Sequence, residues 1–304
     1  MEMGNGTSFP LEKQQRYIQA QYLNILNGFI GVIGMVLNFF TFMTCQKLDH
    51  KAKTSFTVVM QFLAIWDGLA CGNTSIRTGM LRPMGINLQH VNDVLCKSIW
   101  VLMACVYIES IWHVVLLTCE RLLCIKFPIA YKQYGTKNNA FKACVFVSTL
   151  LIISSLPHAY YFLVRNGTCR ADTGRPFYVL YYYSFNYVVQ FIIPSVVVVY
   201  GNITIVYELF QWNSKRKNSG SEYSTAVLLL VISTTFLVGL SGAAILTVQN
   251  AYVTGDSPES LAQLYFQYAV ANHFGLINNS FNFLFYIVAT KSFRDSFIKF
   301  ILCK

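Results

Sequence analysis

Residues Val94–Ile125 read VLCKSIWVLMACVYIESIWHVVLLTCERLLCI. Between Lys97 and Glu120 the only formally charged side chain is Glu109, and the run exceeds the roughly 20 apolar residues needed to cross about 30 Å of hydrocarbon. A water-soluble helix of this length carries a continuous polar stripe, which is missing here. Further apolar runs of spanning length occur at Tyr22–Thr44, Phe56–Thr78, Phe141–Leu163, Tyr178–Phe210, Ala226–Val248 and Leu261–Ala289. Strand barrels show alternating segments of about ten residues instead. The expected fold is therefore an all-α membrane protein, a bundle of seven transmembrane helices.

Composition agrees. The 304 residues are 55% hydrophobic and 12% charged, with a mean hydropathy of +0.46. Soluble domains carry about twice that charge fraction. The net charge of +10 does not imply a nucleic-acid partner, because the basic residues sit between apolar runs rather than clustered on one face. Placing the N-terminus outside puts Lys47, Lys51, Lys53, Arg121, Lys126, Lys132, Lys137 and Lys142 on the cytoplasmic side, with Lys215, Arg216, Lys217, Lys291, Arg294, Lys299 and Lys304. These are 15 of the 23 basic residues, as the positive-inside rule requires. Two glycosylation acceptors, Asn5 in Asn5-Gly6-Thr7 and Asn166 in Asn166-Gly167-Thr168, then both face the lumen. The chain divides into an extracellular N-terminus (1–21), a seven-span domain (22–289) and a tail (290–304). The first helix is expected to act as its own signal-anchor.

In the tail, Lys291–Phe300 alternates apolar and charged faces at helical spacing. It reads as a short amphipathic eighth helix on the bilayer surface, with Cys303 placed either as a palmitoylation site or as a free thiol. Of the nine cysteines, Cys45, Cys71, Cys105, Cys119, Cys124 and Cys144 lie inside apolar runs and behave as small hydrophobes. No Cys/His cluster has metal-ligand spacing. Polar residues deep within spans are costly and mark function or interhelical contact. They include Asn38, Asp67, Ser110, Asn278, Asn279 and Asn282.

These positions, taken together, resemble the rhodopsin-like (class A) G-protein-coupled receptors. Cys96 opens the third span and Glu120-Arg121-Leu122 closes it, with the arginine 25 residues past the cysteine, the family's interval between its outer disulfide cysteine and its Asp/Glu-Arg-Tyr motif. Pro128 follows the arginine by seven residues, and Pro194, Phe236 and Asn282…Tyr286 continue the register. The resemblance covers about Gly31 to Phe300. It implies a Cys96–Cys169 disulfide, a sodium ion held by Asp67, Ser110, Asn278 and Asn282, and an activation switch formed by Glu120, Arg121, Glu222, Phe236, Asn282 and Tyr286. Within that switch, Glu222 is the expected acidic partner of Arg121.

There are departures. Leu122 replaces tyrosine, Asn282-Phe283-Leu284-Phe285-Tyr286 lacks the proline of Asn-Pro-x-x-Tyr, and Gly239-Leu240-Ser241-Gly242 replaces Cys-Trp-x-Pro. Val147 and Asn202 stand where tryptophan and tyrosine are usual. Proline enforces a kink that Gly242 only permits. Two readings follow: a signalling receptor, or a receptor-like binder with impaired signalling.

The expected partners are an extracellular ligand, a heterotrimeric G protein, arrestin and the lipid bilayer of the plasma membrane, with no enzymatic activity. Met103 stands where amine receptors carry aspartate and Leu276 where opsins carry lysine, so neither ligand class is expected. The ligand positions implied are Arg77, Thr78, Met103, Tyr107, Tyr183, Asn186, Tyr187, Gln190, Thr247, Asn250, Tyr268 and Asn272. This polar, aromatic set suits a short peptide, and the pattern is similar to invertebrate neuropeptide receptors. A chemosensory receptor for a small external compound is the alternative. Arg77 either pairs with a ligand carboxylate or snorkels to the outer interface.

Overall fold

The computed structural model describes residues 11–48, 54–215, 234–235, 237, 239 and 258–302. Asn5, Glu222, Phe236, Thr247, Asn250 and Cys303, with nearly all of the Ala226–Val248 run, lie outside the described residues. The elements are α1 (Leu11–Lys47), α2 (Ser55–Thr74), α3 (Asp93–Lys126), the short α4 (Pro128–Tyr134), α5 (Lys137–Ser155), α6 (His158–Tyr161), β1 (Phe162–Arg165), β2 (Thr168–Ala171), α7 (Tyr178–Tyr183), α8 (Ile193–Lys215), α9 (Pro258–Ala289) and α10 (Lys291–Ile301). Two π-helical stretches interrupt them, Ser75–Leu81 after α2 and Ser184–Ile192 between α7 and α8.

Among the described residues, five helical segments are long and apolar enough to cross a membrane. Together with α9 they form an all-α membrane bundle in which α1 packs on α2 and α9, α2 on α3, and α3 on α5 and α8. The inner core gathers Phe56, Met60, Leu63, Val114, Leu117 and Tyr286, while Phe29, Ile33, Val36 and Phe39 of α1 stay exposed. That inversion suits hydrocarbon rather than water around the bundle. Helices approach closely where side chains vanish: a Cβ on Gly79 would clash with the Gly28 backbone. Helix starts are capped by side-chain acceptors, with Asn92 accepting from the Leu95 N–H at 2.8 Å and Thr136 from the Asn139 N–H at 3.2 Å.

Two boundaries differ from the sequence reading. Helix α1 begins at Leu11, so the outer segment is already helical before the apolar run. The fourth run ends as helix at Tyr161 rather than Leu163, because the chain turns at Pro157 and then enters the antiparallel β1–β2 hairpin. Helix α10 follows the expected eighth helix: Phe293 is buried against Tyr286 and Phe283, and Phe297 packs on Phe40.

Candidate ligand-binding cavity

The hairpin lies at one end of the bundle, with the Phe162 ring stacked 4.0 Å from that of Trp100. A Cys96–Cys169 disulfide ties it to the start of α3, and His90 Nδ1 accepts the Cys169 backbone N–H at 2.9 Å. Asn166 sits exposed at the hairpin turn in the left-handed region, φ 51°. Asp93 also accepts the Val164 N–H at 2.7 Å. Three covalent or hydrogen-bonded links therefore hold β1 and β2 in place.

Beside the hairpin lies a cavity of about 410 Å³. Of the residues expected there, Arg77, Met103, Tyr107, Asn186, Gln190, Tyr268 and Asn272 line it. Thr78 does not: its side chain is buried and its hydroxyl donates to the Thr74 carbonyl at 2.7 Å. Nor do Tyr183 and Tyr187, which stack on each other at 5.3 Å. Their place is taken by Tyr182, which shares the cavity with Asn186 and Gln190. Tyr182 lies in α7 and the other two, at successive intervals of four, in the π-helical stretch that follows it, whereas the resemblance implied Tyr183.

Arg82, Gln89 and Trp100 also line the cavity and were not anticipated. Trp100 lies one turn past Cys96, a legible signal; Arg82 and Gln89 lie in a connecting segment with no periodicity to read. Among the described residues neither arginine pairs with a carboxylate. Arg77 lies beside the Tyr107 phenol and its buried Nε has no hydrogen-bond partner, while the Arg82 guanidinium stacks 4.5 Å over the Tyr265 ring. None of the described lining residues is acidic.

The floor of the cavity reaches Ser110, Asn278 and Asn279, next to a polar centre. Asp67 is buried, with Oδ1 accepting from Ser110 at 2.5 Å and Oδ2 from Asn282 Nδ2 at 2.8 Å. Asn278 instead donates to Asn279 Oδ1 at 3.1 Å. The Oδ1 atoms of Asn278 and Asn282 are buried without hydrogen-bond partners. Orphaned carbonyl oxygens, a hydroxyl and a carboxylate are the hard donor set of a small cation, so these residues fit the sodium ion the resemblance implies.

A sequence profile described as 7 transmembrane receptor (rhodopsin family) matches residues 37–286. The chain belongs to this family. Among curated proteins it is similar to cysteinyl leukotriene receptor 1 of Cavia porcellus, 26% identical over 78% of this chain and 72% of that protein. The human receptor of that name is 28% identical over 72% of this chain and 66% of its own length. That of Sus scrofa is 25% identical over 92% and 84%. As a rhodopsin-family receptor the chain is a multi-pass plasma-membrane protein and not of an enzyme class. Its family implies an extracellular ligand and a G-protein partner.

At the receptor's other end, Arg121 stacks on Phe56 with its guanidinium carbon 3.4 Å from the ring centroid. Its Nε lies 3.4 Å from Glu120. Glu120 Oε1 accepts from Ser55 at 2.7 Å and from Tyr131 at 2.5 Å. Burial, and then the adjacent carboxylate, raise the Tyr131 phenol well above its ordinary range, so it stays a donor. Tyr286 is buried beside Phe293, one turn past Asn282. Of the residues the resemblance assigns to a switch, Glu120, Arg121, Asn282 and Tyr286 are among the described residues, and Phe236 is not. The expected Arg121–Glu222 pairing falls outside the described residues.

Proposed function

We propose that this receptor sits in the plasma membrane with its N-terminus outside, binds an acidic amphiphile from the extracellular side and activates a heterotrimeric G protein, with arrestin as a further cytoplasmic partner. The observation that carries the ligand class is a cavity holding two guanidiniums, Arg77 and Arg82, with no acidic side chain among its described lining residues. Guanidinium presents a planar fork of donors matched to carboxylate. The amides of Gln89, Asn186, Gln190 and Asn272 and the phenols of Tyr107, Tyr182 and Tyr268 supply neutral hydrogen bonds. Trp100, Met103, Ile111 and Leu276 supply the apolar wall. The volume lies within the roughly 300–1,000 Å³ typical of small-molecule sites.

A carboxylate-bearing lipid conjugate, of the kind the leukotriene receptors are named for, uses every one of these groups. A short acidic peptide is the second reading, favoured by the amide-rich lining. A sodium ion on Asp67, Ser110, Asn278 and Asn282 would stabilise the inactive state through its differential affinity for the two states. Glu120 and Arg121 carry the G-protein end, with Glu222 as the partner that holds Arg121 in the inactive state. Exposed Asn166 is glycosylated, together with Asn5, and Cys303 carries an acyl chain.

The test is a signalling screen in cells with a promiscuous G-protein reporter, comparing acidic lipid conjugates, acidic peptides and their amidated counterparts. Acids activate and amides do not. Arg77→Ala and Arg82→Ala each lower potency about ten- to a hundredfold, the about 1.5–3 kcal/mol of a charge-assisted hydrogen bond. Equal potency of acid and amide ends the ligand assignment. Ligand binding without any reporter response favours a non-signalling binder instead.

A further inference from the structure

The outer cavity holds two cations whose charges interact. Arg77 and Arg82 both line it, and none of the described lining residues is an acid that could stand between them. Arg82 sits at the end of the π-helical stretch, where the chain leaves the bundle for an exposed connection through Met84, Gly85 and Ile86. A long side chain there loses much rotamer freedom on being fixed. That loss and the repulsion by Arg77 both favour a guanidinium out in water. What opposes them is an aromatic face. The Arg82 guanidinium carbon lies 4.5 Å over the centre of the Tyr265 ring, near the start of α9.

We propose that Tyr265 is a positioning residue that aims Arg82 at the ligand's acid group, and that the outer turns of α1 hold Tyr265 in place. This rests on the acidic ligand proposed above. Tyr265 is not itself among the cavity's lining residues, whereas Tyr268 is. Its contacts run to α1 instead. Tyr17 stacks on the Tyr265 ring with centroids 5.2 Å apart and planes at 20°. Two turns further along the same face of α1, buried Asn24 donates to the Tyr265 hydroxyl at 3.2 Å. Arg16 donates to Gln263 beside them. These contacts give a partner to the part of α1 that precedes the apolar run at Tyr22. A ring tethered through its hydroxyl and stacked on a neighbour presents its face in one orientation, and that face attracts a cation. Tyr265 thus engages Arg82 without consuming its N–H donors, so the planar fork stays open for a carboxylate. An acid in the place of Tyr265 would hold the guanidinium too, but would occupy that fork.

The experiment follows modification of Arg82 by phenylglyoxal in the purified full chain, mapped by mass spectrometry and normalised to Arg294 in α10. Tyr265→Leu raises the Arg82 rate about three- to tenfold, the shift expected from losing one cation–π contact. Tyr265→Phe keeps the ring and stays near the rate of the unmodified protein, a rescue that general loosening of the fold would not give. Tyr17→Leu, at an exposed position on α1, raises the rate in the same direction and adds nothing in the Tyr265→Leu background. It carries the test if Tyr265→Leu does not fold. Octanoate is the probe for the acid group. It protects Arg82 from modification, octanamide does not, and Tyr265→Leu raises the half-protecting concentration about three- to tenfold. Octanoate that leaves Arg82 of the unmodified protein unprotected counts against the acidic ligand, while the modification rates still decide whether Tyr265 holds Arg82. An Arg82 rate equal in the unmodified protein and in Tyr265→Leu overturns the positioning role. So does Tyr265→Phe reacting as fast as Tyr265→Leu.

Discussion

Two cavities flank opposite ends of α3, the outer one beside the hairpin and an inner one of about 290 Å³ between α2, α3, α4 and α5 next to Glu120, and they are built by opposite means. The outer one is lined by two arginines, amides and phenols, and adjoins a hairpin that a disulfide and two hydrogen bonds hold down. The inner one is apolar with a single carboxylate, and nothing covalent shapes it; Ala130, Gly135, Ala140 and Ala143 leave the space by being small. One helix thus serves two solvents. Its outer half meets ligand from water, and its inner half meets the bilayer and the second loop. Between them lies Asp67, bonded to α3 through Ser110 and to α9 through Asn282. If the ends are built independently, a change at one end leaves the other intact; if the polar centre couples them, a change at Asp67 is felt at both.

The largest expected effect is at the hairpin. Cys169→Ser frees the hairpin and costs about 2–4 kcal/mol of stability, the usual contribution of a loop-closing disulfide. Ligand affinity at the outer cavity falls with it. The contacts of Tyr131 with Glu120 share no residue with the hairpin, so the inner cavity stays intact at temperatures where the variant remains folded. Saturation binding at the outer end, and hydrogen exchange of the α4 peptide at the inner end of the same preparation, check both halves. Loss of both together, below the unfolding temperature, would show that the cavities are one cooperative unit.

A smaller effect is expected at the centre. Thermal unfolding in sodium chloride and in choline chloride compares the receptor with and without the ion. Sodium raises the midpoint of the unmodified protein, and Asp67→Asn removes that difference, because the variant loses the carboxylate that the orphaned oxygens of Asn278 and Asn282 supplement. Agonist affinity in the variant becomes insensitive to sodium, a coupling of about 1–3 kcal/mol. Identical sodium dependence in both proteins would remove the ion from the account.

Much of this was legible in the sequence. The apolar runs give the spans because hydrocarbon admits few charges, and the interval from Cys96 to Arg121 places both ends of α3. The polar centre was readable because Asp67, Ser110 and Asn282 are each anomalous in an apolar run. What escaped was set by backbone geometry and by chain without periodicity. The cavity takes Tyr182, just before the π-helical stretch, rather than the Tyr183 that the resemblance implied. Arg82 and Gln89 arrive from a segment whose path depends on the bundle it crosses. The inner cavity depends on absent side chains, which no pattern of hydrophobicity records.

At the inner end, Tyr131→Phe removes one of the two donors to Glu120 Oε1 and leaves Ser55 in place at 2.7 Å. The cost is about 1 kcal/mol, the net value of a hydrogen bond whose partner keeps a second donor. Outer ligand affinity stays unchanged, as checked by thermal unfolding and ligand binding together. A fall in outer affinity would mean that α3 transmits the loss along its length.

The smallest effect is a pH dependence of the hairpin. His90 Nδ1 accepts the Cys169 N–H, so that nitrogen must be unprotonated and the ring neutral. Partial burial, and then the positive charge of Arg82, lower the His90 pKa below its ordinary value of 6.5. The folded receptor therefore binds this proton less readily than the unfolded chain. The contribution is present in full above about pH 6.5. It is lost as pH falls from there through the lowered folded value. His90 is only half-buried and solvent screens its charge, so about 0.5 kcal/mol is expected, a two- to threefold weakening of outer ligand affinity. Binding measured at several pH values between about 5 and 7.5 reads this, with a ligand that does not itself titrate in that range. His90→Phe removes the acceptor at every pH, so its affinity starts lower and the dependence flattens. A His90→Phe receptor with the pH profile of the unmodified protein would assign the titration to another group and leave the hairpin held by the disulfide and Asp93 alone.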